Sequence, residues 1–190
     1  MLYSSVLHPF DCPAYELSGL SLVAGLAVCE ALETFGARKV GLKWPNDLLF
    51  GARKLGGILI ELGPNGSQGT HSVTGIGLNL SDFSTRSAID QGVATLDEIV
   101  ARLPERNTLL AALIQHLLSN YQAYSRSGFD AFAERWGERD AYRGRELVLE
   151  HINGTRVFGR SMGVTARGEL RLATSDGERA FHSGEISMRP

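Results

Sequence analysis

A chain of 190 residues is long enough to bury a real core, either as one large domain or as one domain with a small appendage. Its 19 Lys and Arg stand against 21 Asp and Glu, a formal charge of -2, so no global basic footprint marks a nucleic-acid binder and only a local patch remains open. The apolar run at 17–32 is broken by Ser, Gly and Glu and is too polar for a membrane span, and the N-terminus lacks the pattern of a secretory leader, so the expected location is the cytoplasm.

In chain order, residues 2–7 read as a strand that begins with no lead-in. Native domains seldom start so abruptly, and the expectation is that the chain is the C-terminal part of something longer. Residues 15–35 place Leu20, Val23, Ala24, Ala27, Ala31 and Leu32 near helical period, with Gly36 as a stop, which predicts a core-facing helix. Cys29 lies on that helix as a small buried hydrophobe. Neither it nor Cys12 has a CxxC partner or histidines at zinc spacing, so both are expected to be reduced and inert.

Residues 40–44 predict a short strand running into a Pro45-Asn46-Asp47 turn. Residues 48–50 and 54–62 then form a hairpin about Gly51-Ala52, and 71–80 is a further strand. Residues 95–100 predict a short helix. A long helix follows, with Asn107 as N-cap and Leu110, Leu113, Ile114, Leu117 and Tyr121 on its apolar face, and 129–136 adds another short helix. Near Asp140 the texture changes to five short strands with Gly-rich turns, which fits a small SH3-like barrel. The predicted class is α+β: a mixed, mostly antiparallel sheet flanked by helices over 1–139, then an SH3-like domain over 140–190.

Glycines interrupt two apolar ribbons, at Gly56 and Gly57 and at Gly75 and Gly77. Glycine inside a strand marks either the close approach of a ligand or a bulge in a curved sheet, and for either pair alone the two readings weigh about equally. Gly75, Gly77 and Asn79 alternate and so share a face, which favours a ligand there. Lys43 ends a strand beside a rigid turn and is a candidate to face a bound anion. Against that, a solvated lysine is the commonest fate of the residue type. Trp44, of opposite parity, is expected to pack, and Asp47 is expected to brace the turn rather than to bind Mg2+. Ser4, Ser5 and the scattered histidines 8, 71, 116, 151 and 182 suggest no catalytic triad, and no GxxxxGK[ST] phosphate loop is present. Arg143-Gly144-Arg145 looks suited to phosphate but opens the first barrel strand, and is read as a decoy. The residues alone therefore describe a pocket for a small carboxylate.

"KWPND" at 43–47, "RKLGGILIEL" from Arg53, "GIGLN" at 75–79, "DQGVATLDEI" from Asp90 and "GEISMR" at 184–189 together resemble bacterial biotin protein ligases over essentially the whole chain. The resemblance implies a class II synthetase-like core followed by an SH3-like domain. It also implies a two-step reaction, in which biotin and MgATP give biotinyl-5′-AMP and pyrophosphate, and a lysine of a biotin carboxyl carrier protein of acetyl-CoA carboxylase then attacks. It assigns Lys43 to the biotin carboxylate and later the acyl phosphate. Backbone amides at Gly75 and Gly77 would meet biotin, Asn79 the adenylate, and Glu185 and Arg189 would lie toward the nucleotide side. A homodimer is also implied as an option. The family's Gly/Arg-rich loop, GRGRxGR, and the helix-turn-helix of some members have no counterpart in these 190 residues, and from this the expectation is that the chain alone is catalytically weak. Two rivals stand beside the ligase: a non-catalytic module for binding or dimerisation, and a lipoate-attachment relative.

Overall fold

The computed structural model describes residues 1–67, 69–81, 92–151, 154–182 and 186–189. Its first sheet contains β1 (Leu2–Phe10), β2 (Val40–Lys43), β3 (Asp47–Phe50), β4 (Arg53–Asn65) and β5 (Gly69–Leu78) in the spatial order β1-β5-β4-β3-β2. Every pairing within it is antiparallel. The mixed character expected of the sheet is confined to two isolated parallel bridges, Leu42 with Asp140 and Lys54 with Val93.

Among the described residues there are three α-helices: α1 (Leu20–Glu33), α2 (Arg106–Ser127) and α3 (Asp130–Arg139). Strand alternation explains which face they cover. In β5 the residues Thr70, Ser72, Thr74, Ile76 and Leu78 are buried, while those between them, including Gly75 and Gly77, are half-exposed on the other face. Helix α1 is buried almost all round, as its Leu- and Ala-rich composition permits. It packs on the sheet through Gly25, where an added Cβ would stand 3.1 Å from Leu42 and 3.8 Å from Ile58.

The helix expected from residue 15 begins later. Ala14–Leu17 is a single 3-10 turn, and Gly19 leads into α1 because a side chain there would strike the Phe129 ring at 2.8 Å. The expected N-cap of α2 is corrected as well. Glu105, directly after Pro104, occupies the cap and its carbonyl accepts the Leu109 N–H at 2.9 Å, which puts Asn107 inside the first turn. The buried face shifts accordingly to Leu109, Leu113, Leu117, Asn120, Tyr121 and Tyr124, with Leu110 and Ile114 half-buried. The short helix expected over 95–100 is one 3-10 turn at Leu96–Glu98. Helix α3 outruns its expected end because the Arg139 guanidinium forks onto the Glu33 carboxylate at 2.7 and 3.1 Å.

The second sheet has the spatial order β10-β6-β7-β8-β9, built from β6 (Glu146–His151), β7 (Arg156–Val164), β8 (Leu170–Thr174), β9 (Gly177–Phe181) and β10 (Ile186–Arg189). It is the expected SH3-like unit, with Leu147, Leu149, Leu170, Leu172 and Phe181 directed inward. Among the described residues no helix is long and apolar enough to cross a membrane.

Candidate functional site

The register of the first sheet lines up residues from all five strands. Lys43 pairs with Asp47, Asp47 with Gly57, Gly57 with Gly77, and Gly77 with Tyr3. Directly paired residues share a face, so this row crosses the whole sheet on the side opposite α1. The neighbouring row holds Leu59, Gly75 and Ser5. Beside the Asp47 to Tyr3 stretch of these rows lies an open cavity of about 640 Å³, lined among others by Tyr3, Asp47, Lys54, Leu59, Gly57, Gly75 and Gly77. Lys43 does not line it but borders a small neighbouring cleft with Ser21 and Leu22, and Asp47 borders both.

The glycines divide by what a side chain would meet. A Cβ on Gly57, Gly75 or Gly77 would find nothing nearer than 3.5 Å, and none of the three has a positive φ, so local structure does not demand glycine there. Their effect is to leave the cavity floor bare. Gly56 differs, since its Cβ would run into the Gly77 carbonyl and the Leu78 side chain, and its glycine is required by packing. Because β5 is paired on both sides, the amides of Gly75 and Gly77 lie within the ladder. Their contribution is flatness rather than spare donors.

A bulge supplies a residue that sequence reasoning missed. Leu48 pairs with Gly56 but Leu49 pairs with Lys54, which leaves Leu55 as the extra residue of β4. Strict alternation would send Lys54 and Gly57 to opposite faces. The bulge brings them together, and a Cβ on Gly57 would stand 3.5 Å from the Lys54 Nζ. The Asn79 side chain fixes this irregularity, as its Nδ2 donates to the Lys54 carbonyl at 3.0 Å while its backbone N–H donates to that of Leu55 at 2.9 Å. Asn79 also lines the cavity. Tyr3 was missed too, because a strand tyrosine carries no signal of what lies across from it.

Two cations meet one carboxylate at the end of the row. Lys43, only 7% exposed, places Nζ 3.7 Å from Asp47 Oδ2, and Lys54 Nζ is ion-paired with Asp47 Oδ1. Asp47 thus gathers two ammonium groups on one carboxylate, the shielded Lys43 and the partly exposed Lys54 at the cavity. Asp47 is thereby engaged as a brace. Among the described residues no group of three His, Cys, Asp or Glu is assembled.

The turn carrying Lys43 is fixed residue by residue. The Trp44–Pro45 peptide is cis. Trp44 is buried, as its parity suggested, and its indole N–H donates to the Gly168 carbonyl at 3.1 Å. The Ser21 hydroxyl donates to the Pro45 carbonyl at 3.1 Å. Asn46 clamps β4 by accepting the Ile58 N–H at 2.9 Å and donating its amide to the Ile58 carbonyl at 2.7 Å.

Of the other expected site residues, Glu185 lies outside the described residues. Arg189 pairs with Val148 through its backbone, and its side chain also lies outside them, as do Asp90 and Gln91 of the fourth quoted segment. The Arg143-Gly144-Arg145 segment leads into β6, where Gly144 N–H donates to the Ser161 carbonyl at 2.8 Å, in keeping with a structural reading.

Two family descriptions match this chain: Biotin/lipoate A/B protein ligase family over residues 1–79, and Biotin protein ligase C terminal domain over 144–189. The bifunctional ligase/repressor BirA of Escherichia coli is 37% identical over 99% of this chain and 58% of its own length. The biotin--[acetyl-CoA-carboxylase] ligase of Mycobacterium tuberculosis is 27% identical over 93% of this chain and 64% of its own. The chain thus spans about three-fifths of these relatives. Among solved structures, a biotin protein ligase from Aquifex aeolicus aligns with TM-score 0.84 and 29% identity, covering 98% of this chain and 81% of that one. The same ligase in complex with biotin and ATP aligns with TM-score 0.82 and 28% identity, covering 99% and 78%. With both family segments matched in chain order, and with the Lys43 turn and its bare floor inside the first of them, the chain carries a Biotin/lipoate A/B protein ligase segment followed by a Biotin protein ligase C terminal domain segment.

Proposed function

We propose that the cavity binds biotin with its carboxylate toward Lys43 and its apolar body against the floor of Gly57, Gly75 and Gly77. The single observation that carries this is the row running Lys43, Asp47, Gly57, Gly77, Tyr3: one end offers positive charge and the middle offers uncluttered surface. The reaction is that of a biotin–[acetyl-CoA-carboxylase] ligase. A carboxylate oxygen attacks the α-phosphorus of MgATP, pyrophosphate leaves, and biotinyl-5′-AMP forms. The amine of an acceptor lysine on a biotin carboxyl carrier protein then attacks the acyl carbon, and AMP leaves. Lys43 stabilises the negative charge that develops at both steps, and Lys54 adds a second positive group on the same side. Asn79 holds the bulge on the adenylate side, and Glu185 and Arg189 are assigned to the nucleotide side. The ligase unit is assigned to 1–139 and the SH3-like unit to 140–190, in a cytoplasmic protein for which a homodimer is one option.

A non-catalytic biotin-binding module is the second reading. One observation favours it: Tyr3 and Leu59 stand 75% and 64% exposed at the cavity rim, so the site as described gives a bound acyl phosphate little shelter from water.

The test is calorimetric titration of the chain with biotin and with lipoate, followed by incubation with biotin, MgATP and a carrier domain while the acceptor mass is monitored. Biotin binding that lipoate does not displace supports the biotin assignment over the lipoate one, and no biotin binding overturns it. A mass gain on the acceptor separates the ligase from the binding module.

A further inference from the structure

The turn between β7 and β8 is built as a rigid plug. Its Thr165 hydroxyl accepts the N–H groups of Arg167 and Glu169, both at 3.2 Å, and donates to the Glu169 carboxylate at 2.9 Å. The backbone closes the same turn through Gly168 N–H to the Thr165 carbonyl and Thr165 N–H to the Glu169 carbonyl, each at 2.9 Å. This plug is seated on the first domain at three points. The Ser18 hydroxyl donates to the Arg167 carbonyl at 2.9 Å, the Trp44 indole donates to the Gly168 carbonyl, and Gly168 packs backbone to backbone on Gly19. At Gly168 φ is +82, and a Cβ would stand 3.0 Å from the Gly19 Cα, so only glycine fits.

The residue that receives the plug adjoins Lys43 in the turn. Trp44 sits between Lys43 and Pro45, is only 1% exposed, and its buried indole N–H has the Gly168 carbonyl as its partner. A buried indole N–H deprived of its acceptor is unfavourable, so lifting the plug would force Trp44 to repack, and the backbone of Lys43 would move with it. The register that aims Lys43 at Asp47 is then no longer held from behind.

We propose that Trp44 is a positioning residue that couples the seating of the SH3-like domain to the Lys43 turn, so that this domain helps set the affinity of the carboxylate site without touching the ligand. The proposal rests on the reading of the cavity as a biotin site, but the coupling has a signature of its own. Coupling between two places is reciprocal, so ligand bound at the cavity must tighten the plug as the plug tightens the cavity.

The experiment compares wild type with Trp44→Phe, which keeps the ring and removes the donor, with Gly168→Ala, with the milder Ser18→Ala, and with the double variant Trp44→Phe/Gly168→Ala. Amide hydrogen exchange is followed at residues 40–47 and 165–169 without and with saturating biotin, and biotin affinity is titrated far below the melting temperature. Trp44→Phe and Gly168→Ala are each expected to speed exchange at 40–47 and weaken biotin about tenfold. The double variant should be no worse than the larger single effect, because both break one joint. Biotin should slow exchange at 165–169 in wild type and not in Trp44→Phe, a response that a purely structural tryptophan would not give. Additive effects, or exchange and affinity within about twofold of wild type in both single variants, would overturn the proposal. Should Trp44→Phe fail to fold, Ser18→Ala and Gly168→Ala decide by the same two readouts. Wild type that shows no biotin binding, with exchange at 40–47 still responding to the plug variants, sinks the biotin reading and leaves the joint standing.

Discussion

Gly56 and Gly77 occupy paired strands back to back, and a methyl group on Gly56 would run into the Gly77 carbonyl and reach within 2.8 Å of Leu78, while one on Gly77 would only touch the Tyr3 ring at 3.5 Å. The two glycines are therefore present for different reasons, one for packing and one for space above the sheet. Gly77→Val is expected to keep the melting temperature within a few degrees of wild type and to weaken biotin at least about a hundredfold, because the branched side chain occupies the ligand's volume. Gly56→Ala should instead lose about 1 to 3 kcal/mol of stability through overpacking. Thermal melts and biotin titrations of the two variants provide the check, and equal loss of stability and affinity in Gly77→Val would return that glycine to a structural role.

Lys43→Ala removes a shielded ammonium yet leaves Asp47 its partner in Lys54. The fold should survive. Loss of a charge-assisted contact to a carboxylate or acyl phosphate is expected to cost about 2 to 5 kcal/mol in ligand or transition-state binding. Lys54→Ala should cost less, since its side chain is 38% exposed and solvent screens its charge more effectively. Biotin titration, and pyrophosphate release wherever turnover is measurable, would refute the assignment if Lys43→Ala stayed within a few-fold of wild type.

The two thiols should behave differently toward alkylating reagents. Burial pushes the Cys29 thiol up to about 12, with the Arg139 charge opposing and Glu33 and Glu30 assisting. It should remain protonated and unreactive in the folded chain at pH 8. A raised thiol pKa means that the unfolded chain releases this proton more readily, so the contribution of Cys29 to stability is intact below the ordinary thiol value and falls as pH rises through it. Cys12 is half-exposed and its thiol is raised more mildly, by burial and then by Glu16 and Asp11. Counting thiols with a chromogenic disulfide should give one slow group natively and two after denaturation. Two groups reacting natively would contradict the burial of Cys29.

Much of this fold was legible because it rests on alternation and period. Strands β1, β4 and β5, the buried helix α1 and the change of texture near Asp140 all announce themselves through where apolar residues recur. The quoted GIGLN segment likewise carries its parity, which places Gly75 and Gly77 on one face, whereas the position of Lys43 in their row comes only from the cross-strand register. What could not be read depends on pairing across the chain. The Leu55 bulge that swings Lys54 into the cavity exists only in the match of β3 to β4. The partner of the Trp44 indole lies 124 positions away. The start of α2 was misplaced because Asn107 is the better cap by residue type, while Pro104 and the Glu105 carbonyl set the first turn earlier.

Asp140 offers a test at the hinge between the two sheets. Its backbone bridges to Leu42 beside the site, its Oδ1 accepts the Tyr142 N–H at 3.0 Å, and its Oδ2 is buried without a hydrogen-bond partner. Burial raises its carboxyl above the ordinary 3.8, against the pull of the Tyr142 N–H and the Arg143 charge. The folded chain therefore holds this proton more tightly than the unfolded chain. Stability contributed by the neutral acid is complete below the ordinary aspartate value and declines as pH rises through the raised folded value, the reverse of a salt-bridged carboxylate. Asp140→Asn keeps an oxygen for the Tyr142 N–H and removes the buried charge. It is expected to stabilise the chain by about 1 kcal/mol at pH 7, with the gain shrinking toward zero in acid, where the native aspartate is neutral too. Denaturant melts of both proteins between pH 3 and 7 measure the difference. If Asp140→Asn were the less stable at pH 7, attraction to Arg143 would outweigh burial, and the carboxylate would have to be counted among the contacts that hold the two domains together.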